Sequence, residues 1–315
     1  MHFKKESMFE IVNSLKTKLN SCDHVSFNVL NPDVCDSTYS GTIVEFDDVE
    51  YIYRSYRAYL DLAILLFCKM RTPKLINKNI VSLEFVKLNT QSSFHNTKLN
   101  SKSEKYGVES HFFNIQKNEE PFFITHYTQA LENVNISSRL KVLNLGVNRA
   151  DEFEVIKEIV GDEVFNSMEL TGVDHSQSAI KYAKKKFPTK TFYEKDLNSL
   201  DDLSLGKFDL IISIGTLQSP SINFKPFFNS LVQNYLNKGG SVILGFPNSR
   251  WIDGEMIYGA KMANYSESDL SLVIKDIHYV KKYLQQKKFR VRVSGREYIF
   301  LSATNIKATD ENDQI

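Results

Sequence analysis

The sequence contains few cysteines and no long apolar segment. Its three cysteines, Cys22, Cys35 and Cys68, do not have the spacing of metal ligands, and an odd number argues against a closed disulfide framework. The longest apolar run, residues 60–68, is interrupted by Asp61 and is too short to cross a bilayer. No apolar signal segment follows the polar first residues. We therefore expect a cytoplasmic protein with no metal centre and no membrane partner.

The chain also has almost no net charge. It has 39 Lys and Arg residues against 38 Asp and Glu residues, so no global field attracts it to nucleic acid or to acidic lipid. The hydrophobic fraction of 42% and the charged fraction of 24% are ordinary for a soluble globular protein. A length of 315 residues is sufficient for two domains or for one elaborated domain.

Short apolar segments alternate with helical patterns in the second half of the chain. The first apolar segment, residues 142–145, ends at Gly146, and a helical pattern follows over residues 151–160. Three more segments each end at an acid or a glycine: residues 168–173 before Asp174, residues 191–193 before Asp196, and residues 208–214 before Gly215. A glycine turn under a helix, with an acid after the next strand, is typical of a nucleotide-type site.

The turn at Gly146 distinguishes between two kinds of nucleotide-type ligand. A dinucleotide-binding turn has the pattern G-x-G-x-x-G, and its amides face a pyrophosphate. Here the turn runs from Gly146 to Ala150, and the helix then begins with Asp151 and Glu152. Two carboxylates at a helix N-terminus would repel a pyrophosphate. The pattern therefore favours a ligand without phosphate.

With these motifs, residues 138–304 resemble the class I S-adenosylmethionine-dependent methyltransferases. Five stretches in the right order carry the resemblance: residues 142–150, 170–175, 193–197, 208–215 and 236–245. The resemblance implies an α/β fold, a seven-stranded, mostly parallel Rossmann-like methyltransferase sandwich, with S-adenosyl-L-methionine as the cofactor. It does not identify the acceptor subfamily.

The same resemblance implies a set of cofactor-binding residues. Asp174 would accept hydrogen bonds from the ribose hydroxyls, and His175 would lie against the adenine. Asp196 and the Leu197 backbone would meet the adenine edge. The full set is Asn144, Gly146, Asn148, Asp174, His175, Asp196, Leu197, Ile214 and Gly215.

The motif departs from the family pattern at three positions. Asn148 and Ala150 stand where the family has its second and third glycines, and asparagine can adopt the left-handed conformation that the turn requires. Asn144 stands where the family has an acid that organises the cationic end of the cofactor. Asp151 and Glu152 are the nearby carboxylates that could replace it. These departures leave open a non-catalytic protein that binds S-adenosylmethionine or S-adenosylhomocysteine.

The sequence patterns divide the chain into four parts. The pattern of residues 1–90 predicts an N-terminal α+β accessory module that includes a helix over residues 54–70. The remaining parts are a linker and lead-in segment over the active site (91–137), the methyltransferase domain (138–306) and a disordered tail (307–315).

No residue stands out as a general base. His126 and Tyr127 in the lead-in segment could cover the active site, although both also fit a structural role. A polar and aromatic insert after the fifth strand should emerge at the ligand-bearing edge and contact the acceptor, or else be a structured loop. Its candidates are Arg250, Asp253, Glu255, Tyr258, Lys261 and Tyr265. The candidate catalytic residues are therefore His126, Tyr127, Glu255 and Tyr258.

We expect methyl transfer from S-adenosylmethionine to an acceptor that is a small molecule. The chain has no Asn/Asp-Pro-Pro motif after residues 208–214, which argues against methylation of an adenine amino group. An alternative is a tRNA methyltransferase whose N-terminal module recruits nucleic acid. Residues 51–59 interleave tyrosines and arginines as base stacking requires, although Tyr56 and Tyr59 also have the spacing of a core face.

Overall fold

The computed structural model describes residues 1–92, 106–259 and 270–306. The chain divides into two compact units. The first unit comprises Met1–Ser93 together with Trp251–Ile257, and the second comprises Phe94–Arg250 together with Tyr258–Ile315. Residues 93–105 of the predicted linker and lead-in segment and the predicted tail, at residues 307–315, lie outside the described residues.

The first unit is the predicted α+β module, built on small antiparallel sheets. Strand β6 is its centre, because β1, β4 and β5 all pair with it, whereas β2 and β3 form a separate hairpin. The elements are α1 (Met8–Leu19), β1 (His24–Leu30), β2 (Ile43–Phe46), β3 (Val49–Ile52), α2 (Tyr56–Leu65), β4 (Cys68–Met70), β5 (Lys74–Asn77) and β6 (Ile80–Lys87).

Helix α1 illustrates how this unit forms its core. The helix begins at a capping box, in which the Ser7 and Glu10 side chains bond each other's backbone amides. Ile11 and Leu15, four residues apart on one face, are fully buried. They belong to the same apolar cluster as Phe27 of β1, whose ring lies edge-on to that of Phe85 at 5.1 Å.

Helix α2 is shorter than the sequence predicts. The helical pattern over residues 54–70 continues past Leu65, but the helix ends there. Phe67 adopts a left-handed conformation with φ +52°, and Cys68–Met70 pairs with β6 instead. Pairing with a sheet edge offers these three residues backbone hydrogen bonds that a longer helix would also provide, so local periodicity does not distinguish the two outcomes.

The second unit contains a seven-stranded sheet in the order β14-β15-β11-β10-β7-β8-β9. Its elements are α3 (Pro121–Asn133), β7 (Lys141–Leu145), α4 (Asp151–Ser167), β8 (Glu169–Asp174), α5 (Gln177–Lys186), β9 (Thr191–Glu194), β10 (Phe208–Ile214), α6 (Phe224–Ser230), β11 (Leu236–Pro247), β12 (Ser249–Ile252), β13 (Glu255–Tyr258), α7 (Leu270–Gln286), β14 (Phe289–Gly295) and β15 (Tyr298–Asn305). Strand β15 runs antiparallel to both neighbours, and the other pairings that join β9 to β11 are parallel.

The side chains of alternate residues in the central strands are buried on opposite faces of this sheet. On β7, Val142 packs into the cluster that includes α3 and α4, whereas Leu143 packs into the cluster that includes α6 and α7. Both side chains are fully buried, as expected for a parallel strand covered by helices on both faces. The predicted α/β sandwich is therefore confirmed.

The division into units differs from the sequence-based one at the insert after β11. The tip of the β12–β13 hairpin, Trp251–Ile257, belongs to the first unit and not to the methyltransferase domain. Ile252 and Ile257 are buried in one apolar cluster with Leu88. This placement was not visible in the sequence, because Leu88 belongs to a distant part of the chain.

Phe300 of β15 anchors α3 to the sheet, and its truncation tests this packing. The side chain is 1% exposed, and its ring centroid lies 5.4 Å from Phe123 and 5.8 Å from Tyr127. We expect Phe300→Ala to lower the free energy of unfolding by about 3–5 kcal/mol in urea denaturation. Val293→Ala on β14, where the side chain is 43% exposed, is the control and should cost less than about 0.5 kcal/mol. Equal losses would contradict the packing.

Candidate functional site

The turn after β7 has the backbone shape that the sequence motif predicts. Gly146 has φ +74°, and Asn148 keeps a left-handed conformation with φ +42°. Ala150 is also left-handed, with φ +59°, and is fully buried directly before α4. The amides of Gly146 and Val147 both donate to the Val173 carbonyl, at 2.8 and 3.1 Å. These two bonds join the turn to the end of β8.

Asp174 ends β8 beside this turn. Its Oδ2 accepts a hydrogen bond from the Asn148 amide at 3.0 Å, and its Oδ1 accepts one from the Ser176 amide at 3.0 Å. Burial raises the pKa of Asp174, and the hydrogen bonds from backbone amides act in the opposite direction. The His175 backbone amide also bonds this carboxylate. Because a carboxylate offers about four acceptor positions, these amides still leave it some capacity for a further donor.

The predicted adenine-binding residues lie next to Asp174. His175 is exposed, with its Nδ1 3.6 Å from Asp174 Oδ1. The Lys195 amide donates to the Asp174 carbonyl at 2.8 Å, which brings the end of β9 to the same place. Asp196 accepts from the Asn198 amide at 2.8 Å and is exposed, whereas Leu197 is buried.

The end of β10 meets the same turn. Gly215 has φ +73°, and its amide donates to the Gly245 carbonyl at 2.8 Å. Thr216 packs so closely on Gly146 that a Cβ added to the glycine would lie 1.9 Å from Thr216 Oγ1. Ile214 is buried just before this contact. The structure therefore brings all nine predicted cofactor residues to the carboxyl ends of β7, β8, β9 and β10.

The lead-in segment contacts the turn through residues that the sequence did not single out. The Tyr106 carbonyl accepts from Asn148 Nδ2 at 2.7 Å, and the Phe113 carbonyl accepts from Arg149 at 2.8 Å. The ring of Tyr106 also lies edge-on to His175, with centroids 5.9 Å apart. The two hydrogen bonds use backbone carbonyls, which have no sequence signature, so no motif could have indicated them.

A charged pair joins the lead-in segment to α4. Lys117 Nζ lies 3.5 Å from Glu152 Oε1, and Glu152 Oε2 accepts from Asn144 Nδ2 at 3.4 Å. Burial raises the pKa of Glu152, although Lys117 acts to lower it. Burial acts to lower the pKa of Lys117, but Glu152, Tyr298 and Asp151 together raise it above its ordinary value.

The four candidate catalytic residues lie in different surroundings. Tyr127 is fully buried, and its hydroxyl lies 3.4 Å from the Glu152 carbonyl, so it has a core position. Glu255 lies in the first unit and forms an ion pair with Lys69. His126 stacks on Phe122 at 6.4 Å between ring centroids. Lys261 and Tyr265, two further insert candidates, lie outside the described residues.

Tyr258 and His126 share one cluster with two residues that the sequence analysis missed. The Arg296 guanidinium lies 3.8 Å from the Phe122 centroid and 5.0 Å from the Tyr258 centroid. The Tyr258 hydroxyl donates to Glu297 Oε1 at 3.1 Å, and Glu297 is 3% exposed. In the sequence, Glu297 could have been recognised as an acid in the glycine turn of the final hairpin, which begins at Gly295.

Neither a metal cluster nor a membrane-spanning helix is found in the described part of the chain. No group of three or more His, Cys, Asp or Glu side chains is arranged there to hold a metal ion. No helix within residues 1–92, 106–259 and 270–306 is long and apolar enough to cross a membrane.

The crowding at Gly146 predicts the effect of adding one methyl group. Gly146→Ala would place a Cβ against Thr216 as well as force a left-handed alanine. Gly161→Ala is the matched control, because Gly161 also has positive φ but an added Cβ there would meet open space. We expect about 1–3 kcal/mol of backbone strain in both variants and a clearly larger fall in melting temperature for Gly146→Ala. Equal falls would contradict the contact with Thr216.

One family model matches this part of the chain. Residues 136–291 match the family model described as a methyltransferase domain. No curated protein matches the sequence. Among solved structures, the chain is similar to a magnesium protoporphyrin IX methyltransferase from Synechocystis, at 17% identity over 58% of this chain and 81% of that one, with a TM-score of 0.37. It is also similar to the plantazolicin methyltransferase BpumL, at 14% identity over 60% and 86%, with a TM-score of 0.44.

The family model and the strand order of the large sheet agree with each other. The seven strands of the large sheet, renumbered in chain order from β7, have the order 6-7-5-4-1-2-3, with the last strand reversed. The glycine turn and the acid lie at the carboxyl ends of the first two of these strands. Residues 136–291, which contain the first five strands of this sheet, match the methyltransferase domain family, and this match confirms the family predicted from the sequence.

Proposed function

We propose that this protein transfers a methyl group from S-adenosylmethionine to a small-molecule acceptor. The observation that carries the proposal is the position of the buried Asp174 carboxylate at the end of β8. It is held by the Asn148 amide of the turn after β7, next to the switch between β7 and β10. Ligands of open α/β sheets bind at this kind of position. A charged acceptor there makes strong hydrogen bonds to hydroxyl donors.

The residues present fit the cofactor. Asp174 would accept the ribose hydroxyls, with His175 and Leu197 beside the adenine and Asp196 at its edge. Ile214 and Gly215, next to the Gly146 turn, would border the methionine portion. When bound, S-adenosylmethionine supplies an activated methyl group and a neutral thioether leaving group. The protein's own contribution is to hold the acceptor in line and to exclude water.

On the acceptor side, His126 and Tyr258 are the candidates that the geometry favours. They share a cluster with Arg296 and Glu297, at the end of the sheet where β11 and β15 meet. The acceptor atom forms a bond to the methyl carbon as the sulfur–carbon bond breaks, and it then loses a proton. Glu297 would receive that proton through the Tyr258 hydroxyl if the acceptor requires a base.

The burial of tyrosines and an arginine in the first unit argues against the nucleic-acid alternative. Of the tyrosines and arginines in residues 51–59, Tyr51, Tyr53, Arg54 and Tyr59 are all buried. Arg54 donates to the backbone carbonyls of Glu6 and Ile52 instead of facing solvent. Exposed aromatic faces and cations are what base stacking and phosphate binding require, and this stretch offers few of them.

The role of Asp174 predicts a loss of cofactor affinity. Asp174→Asn keeps the shape of the side chain and removes its charge. We expect the dissociation constant of S-adenosylmethionine, measured by calorimetry, to rise about tenfold to a hundredfold, because hydrogen bonds to a charged group are lost.

Asp209→Asn is the matched control for this variant. Asp209 also accepts a backbone amide, that of Lys141 at 3.0 Å, but it lies at the amino-terminal edge of the same sheet. This control should bind S-adenosylmethionine as the unaltered protein does. An unchanged dissociation constant in Asp174→Asn would refute the ribose assignment.

The acceptor class can be tested without knowing the acceptor. The protein is incubated with S-adenosylmethionine and either the small-molecule filtrate or the total RNA of a cell extract. We expect S-adenosylhomocysteine, measured by mass spectrometry, to form with the filtrate and not with RNA. Product with RNA alone would favour the nucleic-acid alternative. Binding of S-adenosylmethionine without product from either fraction would favour the non-catalytic one.

A further inference from the structure

A buried carboxylate on the acceptor side of the site uses its two oxygens unequally. Glu297 is 3% exposed, and its Oε1 accepts hydrogen bonds from the Tyr258 hydroxyl and from the Arg296 guanidinium. Its Oε2 is shut off from solvent and has no hydrogen-bond partner in the part of the chain that the structure describes. Every donor that reaches this carboxylate there therefore goes to one oxygen.

Asn248 carries a second acceptor oxygen of this kind. Its Nδ2 donates to the Arg296 carbonyl at 2.8 Å, and this bond fixes the orientation of the side-chain amide. Its Oδ1 is buried and lacks a hydrogen-bond partner among the described residues. The Asn248 backbone amide donates to the Glu297 carbonyl at 2.8 Å. The two residues are therefore neighbours just beyond the paired ends of β11 and β15.

The position of these two residues relates them to the reacting end of the cofactor. Pro247 and Tyr298, which adjoin Asn248 and Glu297 in the chain, pair across β11 and β15. A Cβ built on Gly215 would lie 3.5 Å from Pro247 and 3.6 Å from Tyr298. The proposed function places Gly215 beside the methionine portion of S-adenosylmethionine. Asn248 and Glu297 thus adjoin the place where an acceptor must lie.

The surroundings of the two oxygens call for hydrogen-bond donors and not for a further charge. Arg296 balances the negative charge of Glu297 by pairing with it. An anionic ligand would bring more acceptors to oxygens that already lack donors. The cluster is open to solvent on one side, because Phe122 is 44% exposed and the Arg296 side chain over its ring is 33% exposed.

We propose that Glu297 Oε2 and Asn248 Oδ1 bind an amino group of the methyl acceptor, so that the acceptor is an amino-bearing small molecule. This inference rests on the proposed function. Two acceptor oxygens on neighbouring residues match two hydrogens on one nitrogen, whereas a hydroxyl group offers a single hydrogen. A buried polar atom without a partner costs free energy, and a ligand that supplies the missing donor removes that cost.

The first arm of the test blocks amino groups in the acceptor pool and uses the unaltered protein. The small-molecule filtrate of a cell extract is treated in buffer with acetic anhydride, which acetylates amines and leaves aliphatic alcohols unchanged. Treated and untreated filtrates are each incubated with S-adenosylmethionine, and S-adenosylhomocysteine is measured by mass spectrometry. We expect a loss of product of about tenfold or more after treatment. A mixture of the two filtrates should still give product, which excludes an inhibitor made by the treatment.

The second arm uses Glu297→Gln. The glutamine carbonyl keeps the bonds from Tyr258 and Arg296 in the place of Oε1, which puts an NH₂ donor in the place of Oε2. Donors then face donors, so we expect the amount of filtrate that gives half the maximal rate to rise about tenfold to a hundredfold. Glu169→Gln removes an exposed carboxylate at the start of β8, on the opposite edge of the sheet, and is the matched control. It should behave as the unaltered protein does.

The outcomes distinguish this inference from the proposed function. Product that survives acetylation would overturn the inference, because a group other than an amine would then occupy the two oxygens. A lower maximal rate of Glu297→Gln at an unchanged half-maximal amount would also overturn it, since Glu297 would then act only as a base. Absence of product from the unaltered protein with untreated filtrate would instead overturn the proposed function. Melting temperatures and affinities for S-adenosylmethionine are measured for both variants, and the acetylation arm decides where Glu297→Gln does not fold.

Discussion

The site depends on the hydrogen bond by which the Asp174 carboxylate holds the amide of Asn148. That bond joins the end of β8 to the turn after β7, and the contact of Gly146 with Thr216 joins the same turn to the end of β10. Burying a carboxylate costs free energy unless hydrogen-bond donors surround it. The turn supplies such a donor, and the carboxylate in turn holds the turn in place. Because three strand ends are fastened together in this way, residues from distant parts of the domain share one edge.

The departures from the family's glycine motif change the residues but not the backbone shape. Asn148 and Ala150 both adopt left-handed conformations that glycine would adopt without strain, and for Ala150 this costs about 1–2 kcal/mol. Ala150 is completely buried, so its methyl group returns part of that cost through packing. Asn144 donates a hydrogen bond to the carboxylate of Glu152, on the adjacent helix, at 3.4 Å.

The first unit is a folded module whose aromatic residues serve mainly its own core. Tyr59 is 1% exposed, and Arg54 is held by backbone carbonyls. The hairpin tip at Trp251–Ile257 completes this unit, with Glu255 paired to Lys69 and the Asp253 amide bonded to the Ser92 carbonyl. The residues that were predicted to select the acceptor are thereby divided, since Tyr258 remains with the methyltransferase sheet.

The sequence by itself determined the sheet and the cofactor edge, because alternating strands and helices, a glycine turn and an acid after the next strand are all local signals. These signals are sufficient to place Gly146, Asp174 and Gly215 at strand ends. Only the tertiary structure decided that Lys117 lies against Glu152 and that Tyr258 and His126 share a cluster while Glu255 does not. These contacts join segments 35 residues or more apart, and packing distant segments together depends on the whole fold and leaves no periodic signal in either segment.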